Sequence, residues 1–169
     1  MKKLDESLIN KIKNIKLVIT DMDGVLTDGG LYYTSEGLVM KKFNVKDGMG
    51  TLLLRKADIK VGIISTDTTE IINKRAERLK MDFACTGIWN KAEKMLELCE
   101  EYKITPDQVA FIGDDVNDIE IIEAAGLTFA PKDALPKLKN MVDLVLKKKG
   151  GKGCFREMSE LILKYTNTN

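Results

Sequence analysis

Four short runs of this chain are apolar without alternation: Lys16 to Thr20, Lys60 to Ile64, Val109 to Ile112 and Leu127 to Ala130. A strand with one wet face alternates apolar and polar residues, so unbroken runs such as LVIT and VGII predict central strands buried on both faces. Between and beyond them, apolar positions recur at helical spacing over residues 5–15, 46–56, 68–79, 91–103, 117–125 and 155–164. Strands alternating with helices predict an α/β fold, a doubly wound parallel sheet covered by helices. Two starts carry cap patterns: Asp67 with Glu70 three residues on, and Thr105 before Pro106.

One segment breaks the alternation. Gly29 to Val45 has two strand-like pieces around Ser35-Glu36-Gly37 and reads as a β-hairpin. Because it follows the first strand, it should rise from the carboxyl end of the sheet, where open α/β folds bind ligands, as a lid or an oligomer contact. Tyr32, Tyr33, Val39 and Phe43 make it too apolar for an exposed ribbon and predict that they pack somewhere, most simply against another copy. The run KKKGGKG at 147–153 reads as a mobile loop.

The 169 residues suffice for one domain, expected over 1–169, and 44% hydrophobic with 31% charged residues argues against disorder. No apolar run approaches the roughly 20 residues that span a bilayer, and the N-terminus lacks a signal peptide's apolar core, so cytoplasmic residence is the expectation. The net charge is +1 and gives no reason to expect nucleic-acid or membrane binding. The chain contains no histidine, which excludes Ser-His-Asp and Cys-His catalysis and histidine zinc sites. Three widely spaced cysteines, Cys85, Cys99 and Cys154, predict reduced, buried thiols.

Acid–base work therefore falls to other groups. Asp21 and Asp23 follow the first strand, and the cluster Gly113-Asp114-Asp115-Val116-Asn117-Asp118 follows another, so the acids should converge on one sheet edge. Four or five acids would converge there without a compensating protein cation, and a hard divalent ion such as Mg2+ would stabilise them. Ser65 and Thr66 end a strand before a helix and offer hydroxyls and free N–H groups to an anion, while Lys91 can add a fixed charge. Taken singly, each element has a plain structural explanation: a solvated acid pair, a cap, a surface lysine. Their order and strand-end placement point to phosphate chemistry.

In DMDGV at 21–25, Ser65 after a strand, Lys91, and GDDVND at 113–118, the chain resembles the haloacid dehalogenase superfamily of phosphohydrolases. The small size, a hairpin in place of a cap domain, FNVKDGMG at 43–50 and GGKGCFRE at 150–157 are similar to its 3-deoxy-D-manno-octulosonate 8-phosphate phosphatase group. The resemblance implies a capless homotetramer whose hairpins and tails close neighbouring active sites. It further implies that Asp21 is the nucleophile and Asp23 the acid and base, and that Asp21, the Asp23 carbonyl and Asp114 hold Mg2+. Asp115 and Asp118 would support the metal, and Ser65, Thr66 and Lys91 would bind phosphate.

The chain departs from that group at Ser65-Thr66-Asp67, where Thr-Gly-Arg is usual. An acid at Asp67 and the stretch 69–83 look more like the branch acting on nonulosonate 9-phosphates, toward which the substrate expectation tilts, with the octulosonate 8-phosphate close beside it. Asp67 read only as a helix cap explains its position equally well. Lys46 and Arg156 are the candidate contacts to a sugar carboxylate, Arg156 from a glycine-rich tail or, equally, as a surface helix charge. Two other classes compete. A receiver-like phospho-acceptor would place its acid pair together on the first strand, unlike Asp21-x-Asp23. A catalytically silent regulatory subunit of a sugar-acid pathway would not need intact Asp21, Asp23, Ser65, Lys91 and Asp114.

Overall fold

The computed structural model describes residues 4–166; the outermost residues of the expected 1–169 span lie outside the described residues. The chain opens with α1 (Glu6–Asn14), whose first turn is capped by Asp5 accepting from the Leu8 N–H, and passes into β1 (Leu17–Thr20). A hairpin follows, β2 (Thr27–Thr34) and β3 (Gly37–Phe43), then α2 (Val45–Lys56), β4 (Lys60–Ile64), α3 (Glu70–Leu79), β5 (Phe83–Cys85) and α4 (Lys91–Tyr102). The second half runs β6 (Val109–Ile112), α5 (Ile119–Ala124), β7 (Leu127–Ala130), α6 (Pro136–Lys139), β8 (Leu144–Val145) and α7 (Cys154–Thr166).

Six strands form one parallel sheet in the order β5-β4-β1-β6-β7-β8, with β2 and β3 as a separate antiparallel pair. The chain winds outward from β1 in one direction, returns, and winds outward in the other from β6, so the topological switch point lies between β1 and β6. Strand alternation divides the core. Val18, Val61, Ile63, Ala110, Ile112 and Phe129 face one helical layer that includes α7, while Leu17, Ile19, Ile64, Val109 and Phe111 face the layer of α4 and α5. The fold is the doubly wound α/β sheet with a hairpin flap, and between β1 and α2 the described chain has only the hairpin where a cap domain would sit.

Four local expectations need correction. The edge strands β5 and β8 are three and two residues long, too short for any apolar run to announce them. Asp67 does not cap α3 in a box with Glu70: the N-cap is Thr69, and Asp67 instead closes a turn by accepting from the Thr69 N–H at 2.9 Å. Residues 147–153 are an anchored connector and not a mobile loop, because the Lys147 and Lys148 N–H groups donate to Glu157, that of Gly150 to Asp133 and that of Gly151 to the Val25 carbonyl. Phe43 packs within its own chain, against the core and beneath the Arg75 guanidinium at 4.8 Å. Tyr32, Tyr33 and Val39 remain exposed. Cys99 and Cys154 are buried, Cys85 is partly so, and all three are free thiols. Among the described residues no helix is long and apolar enough to cross a membrane.

Candidate active site

The β1 ladder continues one residue past the strand, the Asp21 N–H donating to the Ile112 carbonyl at 3.0 Å, so Asp21 emerges at the switch point beside the end of β6. The chain then turns sharply: the Met22 carbonyl accepts from the N–H groups of Leu26 and Thr27. Gly24 makes the turn at φ +85°, and a Cβ there would lie 2.0 Å from Asp114 Oδ2. Glycine at this position lets the loop after β1 close onto the acid after β6. A Cβ on Gly113 would likewise fall 2.3 Å from Asp118 Oδ2.

Carboxylate oxygens of Asp21, Asp114 and Asp118 lie within 4.8 Å of one another. Asp118 is fully buried, and its Oδ2 accepts from the Asp114 N–H at 2.9 Å. Lys91, the first residue of α4, is also buried and donates from Nζ to Asp21 Oδ1 and Asp118 Oδ1, each at 2.6 Å. A compensating protein cation is therefore present, contrary to the expectation that the acids converge without one. One lysine does not balance three acids. Burial, and then the charge of Asp118, push the Asp21 carboxyl up to about 7 against the pull of Lys91. Burial and the neighbouring charges of Asp21, Asp118 and Asp115 push Asp114 up to about 8. Burial works against the charge on Lys91, yet Asp21 and Asp118 hold its ammonium above the ordinary lysine value. A partly buried, all-oxygen set crowded enough to resist ionisation fits a hard divalent cation, whose charge would remove the cause of the crowding.

The other expected residues fall into two groups. Ser65 is buried at the end of β4, its N–H bonded to the Cys85 carbonyl and its Oγ accepting from the Asp67 N–H at 3.2 Å; Thr66 follows, half-buried. Asp23 is turned away from the three acids: its Oδ1 accepts from Thr27 Oγ1 at 3.0 Å and its Oδ2 from Lys41. Asp115 caps a 3-10 turn, accepting from the Val116 N–H at 2.6 Å, and stays outside the cluster. Lys46 and Arg156 share a groove with Val45, Met49, Lys148 and Glu160 that includes none of Asp21, Asp23, Asp114 and Asp118, and Arg156 is the third residue of α7, paired with Glu160. The glycine-rich tail is thus a capped helix start: the Arg156 N–H donates to Asp47 Oδ1 at 2.9 Å.

Lys41 was absent from the expected site. It is the one fully buried residue of β3, and its ammonium bridges Asp23 and Asp67. Its sequence context, MKKF on an exposed hairpin, carries only a weak cue: strand alternation places Lys41 and the core-packed Phe43 on one face.

Carboxylates gathered at the switch point of a parallel sheet, with a buried lysine among them and a strand-end serine nearby, are the equipment of a phosphoryl-transferring α/β hydrolase. The chain belongs to the haloacid dehalogenase-like hydrolases, whose family model matches residues 54–158. It is 44% identical over 153 residues to the 3-deoxy-D-manno-octulosonate 8-phosphate phosphatase of Haemophilus influenzae, covering 90% of this chain and 85% of that protein. The cobalt-bound structure of that phosphatase superposes with a TM-score of 0.90 at 43% identity, covering 92% of this chain and 91% of the other. The corresponding phosphatase of Moraxella catarrhalis, solved with magnesium, phosphate and KDO, gives a TM-score of 0.93 at 32% identity, covering 97% and 94%. This chain is a phosphoric monoester hydrolase.

Proposed function

We propose that the chain hydrolyses the phosphate monoester of a 2-keto-3-deoxy sugar acid, 3-deoxy-D-manno-octulosonate 8-phosphate, through an aspartyl-phosphate on Asp21. The observation that carries this reading is Asp21 buried at the switch point with Asp114, Asp118 and Lys91 around it, in a chain whose relatives bear that activity in their names. Asp21, the Asp23 carbonyl and Asp114 would hold Mg2+, with Asp118 in support and Asp115, whose carboxylate caps the Val116 N–H, left out of that set; once bound, the ion supplies charge neutralisation of carboxylates and phosphoryl oxygens.

The Asp21 carboxylate forms the new P–O bond as the sugar oxygen departs, and Asp23 gives that oxygen its proton. Asp23, now a carboxylate, takes a proton from the water that attacks phosphorus, and the Asp21–phosphorus bond breaks to release phosphate. Lys91 holds Asp21 in place and offsets the charge gathering on the phosphoryl group, while Ser65 Oγ and the Thr66 N–H bind its oxygens. Lys46 and Arg156 contact the sugar acid of a neighbouring copy in a homotetramer, a reading supported by the exposed Leu31, Tyr32, Tyr33, Val39 and Met40 of the hairpin.

A second substrate, a nonulosonate 9-phosphate, is favoured by one feature: an acid, Asp67, stands where the octulosonate phosphatases usually carry arginine. Phosphate release in Mg2+ across both keto-deoxy acid phosphates and simple hexose phosphates tests the reading. The expected result is the highest kcat/KM on the octulosonate 8-phosphate and none in Asp21→Asn. Equal, low rates on every ester would remove the sugar-acid assignment.

A further inference from the structure

We propose that Lys41, a hairpin residue, is a positioning residue for Asp23, braced by Asp67, and that it aims the Asp23 carboxyl at the leaving oxygen; this rests on the phosphatase reading above. The observation is a chain of contacts joining three separate segments. Thr27 Oγ1 donates to Asp23 Oδ1 at 3.0 Å, the Lys41 ammonium donates to Asp23 Oδ2 and also to Asp67 Oδ2, and Thr69 holds Asp67 through its N–H at 2.9 Å and its Oγ1 at 2.8 Å. Both oxygens of Asp23 and both of Asp67 are therefore engaged by fixed donors.

Burial separates this lysine from an ordinary surface pair. Its side chain is 1% exposed although it lies on a ribbon whose other β3 positions are exposed or half-exposed. A lysine buried at this cost needs charged partners, and here it has two, one on the loop after β1 and one on the loop after β4. Burial alone would lower its basicity, but the bonds to Asp23 and Asp67 outweigh it. Asp67 thereby acquires a role that does not require contact with the sugar. With Asp23 as the only other acid on it, Lys41 would pull that carboxylate into a tight pair; a second acid shares the ammonium and fixes its position between the two loops. The arrangement also ties the hairpin to the sheet edge at the residue that handles the proton.

A group that aims the acid matters most where the departing oxygen most needs a proton. An alkyl sugar oxygen leaves as a poor alkoxide, whereas p-nitrophenolate leaves readily unprotonated. The test compares wild type, Lys41→Met and Asp67→Asn on a sugar phosphate, the octulosonate 8-phosphate or the best ester of the panel, and on p-nitrophenyl phosphate. Reading kcat/KM confines the comparison to steps up to transfer of phosphorus onto Asp21. Positioned general acids contribute about 10²–10⁴-fold, so Lys41→Met should lose on the order of 10² on the alkyl ester and less than about 10-fold on the aryl ester, with Asp67→Asn between it and wild type.

A rapid burst of p-nitrophenolate, stoichiometric with enzyme, should also appear in Lys41→Met, because Asp23 then fails as the base for the second step. Equal losses on the two esters without a burst, in variants whose thermal unfolding matches wild type, would reduce Lys41 to a structural tie and overturn the proposal, as would unchanged kinetics. Should Lys41→Met not fold, Asp67→Asn alone must still show the alkyl-selective loss, and its absence refutes the idea. Wild type inert toward every ester would overturn the phosphatase reading and this inference together, a pattern distinct from variants that merely match an active wild type.

Discussion

Lys91→Met replaces the buried ammonium with an unbranched apolar side chain and keeps much of the stem's packing. The nitrogen it removes sits 2.6 Å from Asp21 Oδ1 and from Asp118 Oδ1, with no solvent access to Lys91 or Asp118. Breaking a buried pair from one side costs about 3–5 kcal/mol, because the remaining charge stays buried without a partner. Domains of ordinary size have about 5–15 kcal/mol in hand, so the variant should fold but be severely weakened. With a urea slope of about 2 kcal/mol/M, the midpoint of equilibrium unfolding should fall by about 1.5–2.5 M at pH 8 in chelator. Adding Asp118→Asn to Lys91→Met removes the stranded charge and should recover at least half of the loss, giving a coupling of about 1–3 kcal/mol in the double-mutant cycle. At pH 5 the deficit should shrink, since Asp21 is readily protonated there. A midpoint within about 0.3 M of wild type at pH 8, or strictly additive substitutions, would refute the buried ion cluster as described, because that outcome requires a hydrated lysine.

Stability in chelator should fall as pH rises from about 4 to about 8: the folded carboxyls of Asp21 and Asp114, raised to about 7 and about 8, hold protons that the unfolded chain has already released, so folding is favoured at the acid end of that window. Thermal unfolding with and without Mg2+ across this range checks it, and the stabilisation by Mg2+ should grow in the same window. Gly24→Ala should cost about 1–3 kcal/mol and at least 10-fold in apparent Mg2+ affinity, since the new methyl meets Asp114 in a left-handed backbone; metal titration of activity reads the second effect. Truncation before Gly150 should abolish folding and not just substrate selectivity, because α7 places Cys154, Phe155, Met158 and Ile162 wholly inside the core, at about 1.5–3 kcal/mol for each large side chain. Circular dichroism of the truncated chain settles that point.

Most of the parallel sheet was readable because its central strands are buried on both faces, and burial on both faces leaves an unbroken apolar run. The same physics hid β5 and β8, which lie at the sheet edges and need only two or three residues to pair. Helix ends were less secure. Asp67 has the composition of a cap, but the sequence could not show that its carboxylate would be taken by a lysine on a distant strand and by Thr69, with α3 starting only at Glu70.

By itself, the sequence determined that acids and a hydroxyl occur at strand ends and a lysine at a helix start, because strand ends follow from local pattern and a parallel sheet gathers its carboxyl ends on one edge. By lacking histidine it also excluded an imidazole from any proton chemistry and left that work to carboxylates, Lys, Tyr or Cys. Only the tertiary structure decided which acids meet. Asp118 is drawn inward by the Asp114 N–H and Lys91, Asp115 is spent on a turn, and Asp23 faces Lys41 and Thr27 rather than the cluster. Those choices depend on distances between segments remote in the chain, such as the 70 positions from Asp21 to Lys91, and no local periodicity encodes them.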